Sequence, residues 1–159
     1  HYFTARLHLT GNNQADADRQ ADYLAALTTL PELTMHFGHY LAKPKSCRRC
    51  GARWTYFEEK MTAVKLAIQL LLAAVQDRFD TALLVSADSD LTPPVAQVRA
   101  NYPHKRVIVV RPPARNSVDL CNAATASFTL GEAKIRQNQL PPSVAMANGH
   151  VVNRPAYWK

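Results

Sequence analysis

The sequence contains no apolar run long enough to span a membrane. Its most apolar window, residues 63–75, is interrupted by Lys65 and Gln69, whereas a spanning helix needs about 20 mostly apolar residues. No secretory signal peptide is recognisable. Three cysteines, an odd number, argue against a disulfide framework and suit a reducing compartment. We therefore expect a cytoplasmic protein with no membrane partner.

Acidic residues are scarce relative to basic ones. Asp and Glu number 12 against 19 Lys and Arg, which gives a net charge of +7 and an isoelectric point near 9.6. This excess favours polyanionic partners, nucleic acid first. An apolar content of 47% with 19% charged residues is typical of globular rather than disordered chains. The length of 159 residues suggests one domain with a substantial core.

No internal repeat is present, and predicted strands alternate with predicted helices. The patterns predict strands over residues 2–9, 33–41, 82–85, 107–110 and 128–130, helices over residues 15–30, 58–75, 94–101 and 117–126, and a basic helical turn after residue 131. Such alternation indicates an α/β domain built on a parallel sheet. From residue 141 onward no core pattern remains, so we expect a loose tail.

Two carboxylates, Asp88 and Asp90, follow shortly after the apolar run 82–85. The run predicts a strand buried on both faces, and ligands of parallel sheets collect beyond the carboxyl ends of strands. Carboxylate pairs are ligands that Mg²⁺ or Mn²⁺ uses beside phosphates. Asp is also an ordinary helix cap, and residues 91–94 have the prolines of a helix start. Because one aspartate suffices for a cap, the second keeps the metal hypothesis open.

A basic loop follows the next predicted strand, 107–110. The loops after these two strands meet at the same edge of a parallel sheet, so the acids are expected near phosphate-binding groups. Ser117 is also expected to cap the next helix. Acidic side chains that bind a cation, next to side chains that bind phosphates, together suit a phosphodiester substrate. The candidate donors are Arg111, Arg115, Asn116 and Ser117.

Residues 42–57 show no periodic pattern but interleave basic and aromatic side chains. Cations contact phosphates and rings stack on bases, so this composition suits a nucleic-acid surface, with Arg48 and Arg49 as candidate contacts. A solvated loop whose aromatic side chains fold back into the core explains the composition equally well. The side chains concerned are Lys43, Lys45, Arg48, Arg49, Arg53, Trp54, Tyr56 and Phe57.

Cys47 and Cys50 have the spacing of a zinc knuckle, and Gly51 allows the turn to close around a metal ion. They supply half of a structural Zn²⁺ site. His36 and His39 are the nearest residues that could complete it, although His36 is also explained as a residue lining a strand. Redox chemistry is disfavoured because the pair does not follow a strand into a helix.

Three stretches, Glu58–Lys60, Asp80–Asp90 and Lys105–Val109, resemble the NYN family of PIN-like nucleases. The family pattern reads E-K-x-x-D, then a strand ending S-G-D-S-D, then a G-K-x-V-type strand. The resemblance covers residues 2–141 and is most specific over residues 86–90. It implies a Rossmann-like parallel sheet flanked by helices and metal-dependent cleavage of single-stranded or structured RNA.

The resemblance also implies roles for individual residues. Asp88 corresponds to a metal ligand, and Asp90 to a second ligand or a water-positioning acid, with one or two Mg²⁺ or Mn²⁺ ions as cofactor. Ser86 and Ser89 correspond to supporting positions, and Glu59 and Lys60 lie at the rim of the site. Glu59 is thereby a third candidate catalytic residue, and Lys60, Ser86 and Ser89 are candidate contacts to nucleic acid. The implied organisation is an NYN domain over residues 1–140, with a Cys-x-x-Cys insertion at 42–57 and a tail at 141–159. A homo-oligomer stays open.

The sequence departs from the family pattern at two places. No D-G-x-N motif precedes Tyr2, so the family's opening strand and its acid are missing from the sequence. The acid expected three residues after Lys60 is replaced by Ala63, which cannot bind a metal. We therefore expect little or no nuclease activity. Two other functions stay open: a catalytically degenerate RNA-binding module, and a scaffold whose zinc knuckle docks a protein.

Overall fold

The computed structural model describes residues 1–10 and 13–158. Within them, no helix has the length and apolar character needed to cross a membrane. The elements in chain order are β1 (Tyr2–Ala5), α1 (Gln14–Leu27), β2 (Met35–Ser46), β3 (Arg53–Lys60), α2 (Thr62–Val75), β4 (Thr81–Val85), a 3-10 turn (Ser89–Leu91), α3 (Thr92–Asn101), β5 (Arg106–Arg111), α4 (Val118–Ala123), β6 (Ala126–Thr129), α5 (Glu132–Gln137), β7 (Ser143–Ala145) and β8 (Val151–Asn153).

The described chain divides into two compact units. The first unit comprises residues 1–62 and 140–158, and the second comprises residues 63–139. Each unit has its own three-stranded sheet, β1-β2-β3 in the first and β4-β5-β6 in the second, and the first also contains the β7–β8 pair.

The second unit is a parallel α/β structure, which confirms the predicted fold class. Strand β5 is central, pairing in parallel with β4 and with β6. Apolar residues of the sheet and of α2, α3 and α4 form one buried cluster, which includes Leu84, Leu91, Val95, Val107 and Leu120. The β-branched run of β5 is fully buried at Val107 and Val109, as expected for the central strand of a parallel sheet.

Strand β4 is not buried on both faces, and that prediction is wrong. Leu84 is 7% exposed, whereas Leu83 and Val85 are 63% and 59% exposed. In the described part of the chain β4 pairs with β5 alone, so its second edge has no paired strand. Helix α2 likewise presents an exposed apolar stripe at helical spacing: Val64, Ile68, Leu72 and Val75.

A buried lysine joins two turns of the second unit. The Lys105 side chain is 1% exposed and forms an ion pair with Asp77. Its ammonium group also donates to the Phe79 carbonyl oxygen at 2.8 Å. Since a buried charge is costly unless it is paired and hydrogen-bonded, these contacts fix the α2–β4 turn against the start of β5.

The first unit is organised around a long antiparallel hairpin. Strands β2 and β3 pair from His39 opposite Lys60 to Ser46 opposite Arg53, and β1 pairs with β2 in parallel. Residues 42–57, whose sequence shows no periodic pattern, therefore form two regular strand segments that are joined by a tight turn. Glu58–Lys60 also belong to β3, so the prediction that they open a helix is wrong.

The carboxyl-terminal segment is not a loose tail where the structure describes it. β7 and β8 pair as an antiparallel ribbon, and β8 contacts α1. Val152 is 7% exposed, and the Trp158 ring lies edge-on to Tyr23 with centroids 6.0 Å apart. The sequence pattern did not predict this ribbon because each strand is only three residues long, and Val152 of β8 is the one buried side chain of the two strands.

Candidate nuclease site

The turn after β4 is fixed by a chain of hydrogen bonds. The Ser86 N–H donates to the Val110 carbonyl oxygen at 3.2 Å, which extends the β4–β5 pairing by one residue. The Ser86 hydroxyl accepts from the Asp88 N–H at 3.1 Å. The Asp88 carboxylate then accepts from the Asp90 N–H at 3.0 Å. These contacts hold residues 86–90 at the carboxyl end of the strand.

The two aspartates have different environments. Asp88 caps the 3-10 turn through the Asp90 N–H, so the capping interpretation is confirmed for Asp88. The Asp90 side chain is exposed, and within the described residues its carboxylate has no hydrogen bond or ion pair. Asp88 therefore uses one carboxylate oxygen to cap the turn, whereas the Asp90 carboxylate is available to a ligand.

Hydroxyl groups lie next to the aspartates in the chain. Ser89 is exposed at the start of the 3-10 turn, and Thr92 begins α3, followed by two prolines. The Thr92 Oγ1 atom is buried, with no hydrogen-bond partner in the part of the chain that the structure describes. A buried unpaired polar atom is uncommon and calls for an explanation such as an ion or water.

The loop between β5 and α4 supplies the basic side of the same edge. Arg111 Nη1 donates to Asn116 Oδ1 at 3.1 Å, while its buried Nε has no partner among the described residues. The Ser117 hydroxyl accepts from the Leu120 N–H at 3.3 Å and caps α4, as predicted. Arg115 is exposed. The register Val85 opposite Val110 and the contact of α4 with the 3-10 turn bring the two loops to one edge.

The donors at this edge suit a loosely held hard cation. No group of three or more His, Cys, Asp or Glu side chains gathers anywhere in residues 1–10 and 13–158. Mg²⁺, however, is commonly held by one or two carboxylates together with waters and substrate phosphates. Asp88 and Asp90 meet that requirement, and Thr92 Oγ1 adds an unused polar atom nearby in the chain. The residues present therefore fit such an ion, though without a third carboxylate.

Glu59 and Lys60, which the resemblance places at the rim, lie at the end of β3 in the first unit. The Glu59 carboxylate accepts from the Thr62 N–H at 3.1 Å and from the Thr62 hydroxyl, so it caps α2. Lys60 pairs with Glu58 at 2.7 Å. Hydrogen bonds from Lys43 and from Lys60 lower the pKa of Glu58 to about 2. The proposed roles of Glu59 and Lys60 at the site stay predictions.

Gly38 is a residue whose importance the sequence pattern did not reveal. It lies on β2 beside the turn that leads into α2, and a Cβ there would collide with Thr62 Oγ1, the Lys60 carbonyl oxygen and a Glu59 carboxylate oxygen. Met61 in that turn has a positive φ of 76°. A glycine on an otherwise regular strand indicates such a close backbone approach, and that was the available signal.

The cysteine pair occupies the tip of the β2–β3 hairpin. The Cys47 N–H donates to the Ala52 carbonyl oxygen at 2.8 Å, and Gly51, with φ of 73°, donates to the Cys47 carbonyl oxygen at 2.9 Å. Hydrogen bonds from the backbone N–H groups of Cys50 and Arg49, and from the Cys50 side chain, lower the pKa of Cys47. The tip therefore presents two neighbouring thiols, and the pKa of the Cys47 thiol is the lowered one.

The structure does not bring the four predicted zinc ligands together. The prediction that His36 and His39 complete the site of Cys47 and Cys50 is therefore wrong. His39 stands opposite Lys60 at the far end of the hairpin, eight residues before Cys47, or about 26 Å at the rise of a strand. His36 stacks on Phe3 with ring centroids 4.5 Å apart, so it lines a strand. One ion cannot bind both pairs within the chain.

The hairpin contradicts, for two of the rings, the interpretation that the aromatic side chains of residues 42–57 fold back into the core. Trp54 and Tyr56 are 50% and 46% exposed and do not fold back into a core. Phe57 is half-buried and stacks on His8, with ring centroids 4.8 Å apart. Arg48 and Arg49 are exposed at the turn. Most of this segment is thus a basic surface with exposed rings.

A parallel sheet with carboxylates and basic side chains at its carboxyl edge is the arrangement found in α/β domains that bind ligands at that edge. A model of the NYN domain matches residues 8–131, and the chain belongs to this family, as its resemblance predicted. No curated protein matches the sequence. The fold is similar to a crystal structure of a protein of unknown function, VPA0982 from Vibrio parahaemolyticus RIMD 2210633, with a TM-score of 0.51 and 21% identity over 81% of this chain and 67% of that one.

Proposed function

We propose that this chain is a metal-dependent ribonuclease domain of the PIN-like type whose catalytic centre is impaired at Ala63. Family membership supports a nuclease. The proposal rests on one observation. Asp88 and Asp90, which follow β4, lie at the same edge of the sheet as Arg111 and the loop that follows β5. The free cysteines suit the reducing cytoplasm that we propose as its location.

In this proposal each residue has a distinct task. Asp88 and Asp90 would hold Mg²⁺ or Mn²⁺, and Ser86 keeps Asp88 in place through the Asp88 N–H. Arg111 and Arg115 provide positive charge for the phosphates of the RNA. A cation bound at the aspartates supplies Lewis-acid polarisation of the scissile phosphate.

Ala63, the second residue of α2, explains the proposed impairment. The family pattern has an acid at this position, and a methyl group offers no ligand. The carboxylates of Asp88 and Asp90 then leave most of the coordination shell to water and substrate, which predicts weak cation binding.

The test restores the acid with Ala63→Asp and uses Ala63→Asn as a matched uncharged control. Mn²⁺ affinity is measured by calorimetry, and cleavage of end-labelled single-stranded RNA is followed with Mn²⁺ present. We expect Ala63→Asp to bind Mn²⁺ at least about 10-fold more tightly, a gain of about 1.4 kcal/mol, and to cleave RNA faster than the parent chain does. Ala63→Asn should resemble the parent chain.

A double variant, Ala63→Asp with Asp88→Asn, shows where any activity resides. The proposal requires that this second change removes both the affinity gain and the cleavage. Equal Mn²⁺ binding by Ala63→Asp and Ala63→Asn, with no cleavage by either, would reject it.

Binding of RNA without cleavage is the second candidate function. The exposed arginines at the hairpin tip favour it, together with the missing carboxylate at Ala63. Binding measured in EDTA should weaken steeply with salt, because each phosphate that the protein neutralises adds about 0.7 to the salt slope for single strands. Arg48→Ala with Arg49→Ala should reduce that slope. If the chain is instead a scaffold that docks a protein, neither the parent chain nor the double arginine variant should bind RNA.

A further inference from the structure

The hairpin of the first unit carries cations and exposed aromatic rings on one face. Lys45 pairs directly with Trp54, and Lys43 pairs with Tyr56. Side chains of directly paired residues, and of residues two apart along a strand, project from the same side of a sheet. We call these four residues, Lys43, Lys45, Trp54 and Tyr56, the hairpin face.

The two rings of the hairpin face are open to solvent. Half of the Trp54 surface and 46% of the Tyr56 surface are open to solvent, although aromatic rings are among the side chains that gain most from burial. By contrast Phe57, one residue along β3, projects from the opposite side and stacks on His8. In the hairpin the Phe57 ring is thus packed against another side chain, whereas the Trp54 and Tyr56 rings are open to solvent.

Positive charge accompanies the presented rings. The Lys45 ammonium lies 4.2 Å from the Tyr56 ring centroid, over one face of that ring. Lys43 forms an ion pair with Glu58 on the same side of β3. Arg48 and Arg49 are exposed at the adjoining turn, and Arg53 is exposed at the start of β3. Within residues 42–57 there is no acidic residue, so the segment is uniformly basic.

We propose that the hairpin face is a stacking platform for single-stranded RNA. Unpaired bases stack on Trp54 and on the open face of Tyr56, while Lys45 and the arginines of the turn contact the phosphates between them. Bases inside a duplex are already stacked and cannot reach the rings, so the platform selects single strands. The choice of RNA over single-stranded DNA rests on the proposed ribonuclease function.

The first experiment measures binding directly, in EDTA, so that no cleavage can contribute. Fluorescence anisotropy of a labelled oligouridine of about 12 nucleotides, within the range that single-strand binding modules cover, compares the parent chain with Trp54→Ala and Tyr56→Ala. Each variant should lose about 5- to 150-fold in affinity. The control Tyr157→Ala removes a ring that is 62% exposed elsewhere in the first unit and should bind like the parent chain.

The second experiment uses tryptophan fluorescence to detect the stacked base. The chain has two tryptophans, so Trp158→Phe leaves Trp54 as the single indole. Oligouridine should quench its emission with the midpoint found by anisotropy. Duplex RNA of the same length should cause little quenching and bind at least about 10-fold more weakly.

The conservative variant Trp54→Phe separates stacking from a structural role, because it retains a ring and should recover most of the affinity that Trp54→Ala removes. Circular dichroism of all variants should be unchanged, since both rings are exposed. Unaltered affinity in Trp54→Ala and Tyr56→Ala, or equal binding of duplex and single strand, overturns the platform. Either result leaves the Mn²⁺ and cleavage tests of Ala63→Asp untouched, so the two proposals fail separately. Equal binding of single-stranded DNA keeps the platform and rejects its restriction to RNA.

Discussion

The carboxylate of Asp88 accepts a hydrogen bond from the backbone N–H of Asp90 at 3.0 Å. The first acid of the pair therefore builds the turn that presents the second. A cap and a cation ligand are compatible in Asp88, because a carboxylate has two oxygens and several acceptor sites. Asp90 has no such structural duty in the described chain, so substitutions at the two positions should have separable effects.

We expect Asp90→Asn to weaken Mn²⁺ binding while the free energy of unfolding stays unchanged. Asp88→Asn should act similarly, because asparagine is also a good cap, whereas Asp88→Ala should in addition cost about 1 kcal/mol of stability. Calorimetry with Mn²⁺ and urea unfolding measure the two effects. A large loss of stability in Asp90→Asn would show that this acid also supports the turn.

The ion pair between Asp77 and buried Lys105 should make stability depend on acid pH. The hydrogen bond and charge of Lys105 hold the pKa of Asp77 below its usual 3.8. Because the folded-state pKa is the lower one, the pair stabilises the fold above pH 3.8, and this contribution is lost as pH falls through the folded-state value. The difference in unfolding free energy between the parent chain and Asp77→Asn should therefore shrink below about pH 4.

Urea unfolding at successive pH values measures this difference. Asparagine is a suitable replacement for Asp77 because this residue has a positive φ of 55°, a conformation that asparagine tolerates. Glu58→Gln provides a comparison in the first unit, since hydrogen bonds from Lys43 and Lys60 lower the Glu58 pKa from its usual 4.5 to about 2, so its contribution should likewise fall as the pH is lowered from about 4.5 to 2. A difference for Asp77→Asn that stays constant down to about pH 2 would contradict the prediction.

The sequence predicted the second unit well because its elements carry local signals. The run at β4, the turn at residues 86–90 and the Ser117 cap each depend on neighbouring residues. The strand predicted over residues 33–41 covers the first part of β2, but the rest of the β2–β3 hairpin escaped prediction because much of it is exposed and so lacks an alternating apolar pattern. The full burial expected for β4 depends on partners along its second edge, which no local pattern can reveal.

Two adjacent leucines of β4 should differ strongly in their effect on stability. Leu84 packs in the core of the second unit, so Leu84→Ala should cost about 2–5 kcal/mol through reduced burial and a cavity. Leu83 is 63% exposed, and Leu83→Ala should cost less than about 1 kcal/mol. Chemical denaturation of both variants tests the prediction, and equal losses would mean that Leu83 is covered in solution.

Gly38→Ala should destabilise the first unit by about 1–3 kcal/mol, because the added methyl group overpacks the turn at residues 59–62. Gly131 offers a matched control: a Cβ there meets nothing within 4 Å, so Gly131→Ala should be close to neutral. The comparison is made by thermal and urea unfolding. A neutral Gly38→Ala would indicate that β2 moves readily away from the turn.

Cys47 should be the most reactive thiol of the chain. Its pKa is lowered by hydrogen bonds from Cys50 and Arg49, and the thiolate is the form that attacks an alkylating reagent. With a chelator present at neutral pH, peptide mapping after a short iodoacetamide pulse should show Cys47 modified first. The half-buried Cys121, whose Sγ lies 3.9 Å from Asn116 Oδ1, should react more slowly.

The same assay tests whether the hairpin tip binds zinc through its two cysteines. Saturating Zn²⁺ should protect Cys47 and Cys50 from alkylation and leave Cys121 unchanged, because a thiolate that coordinates zinc is a poor nucleophile. The variant Cys50→Ser should lose that protection at Cys47, since zinc then retains a single thiolate from the tip. If Zn²⁺ slows all three cysteines equally or none of them, the tip is a reactive thiol pair and not a metal site.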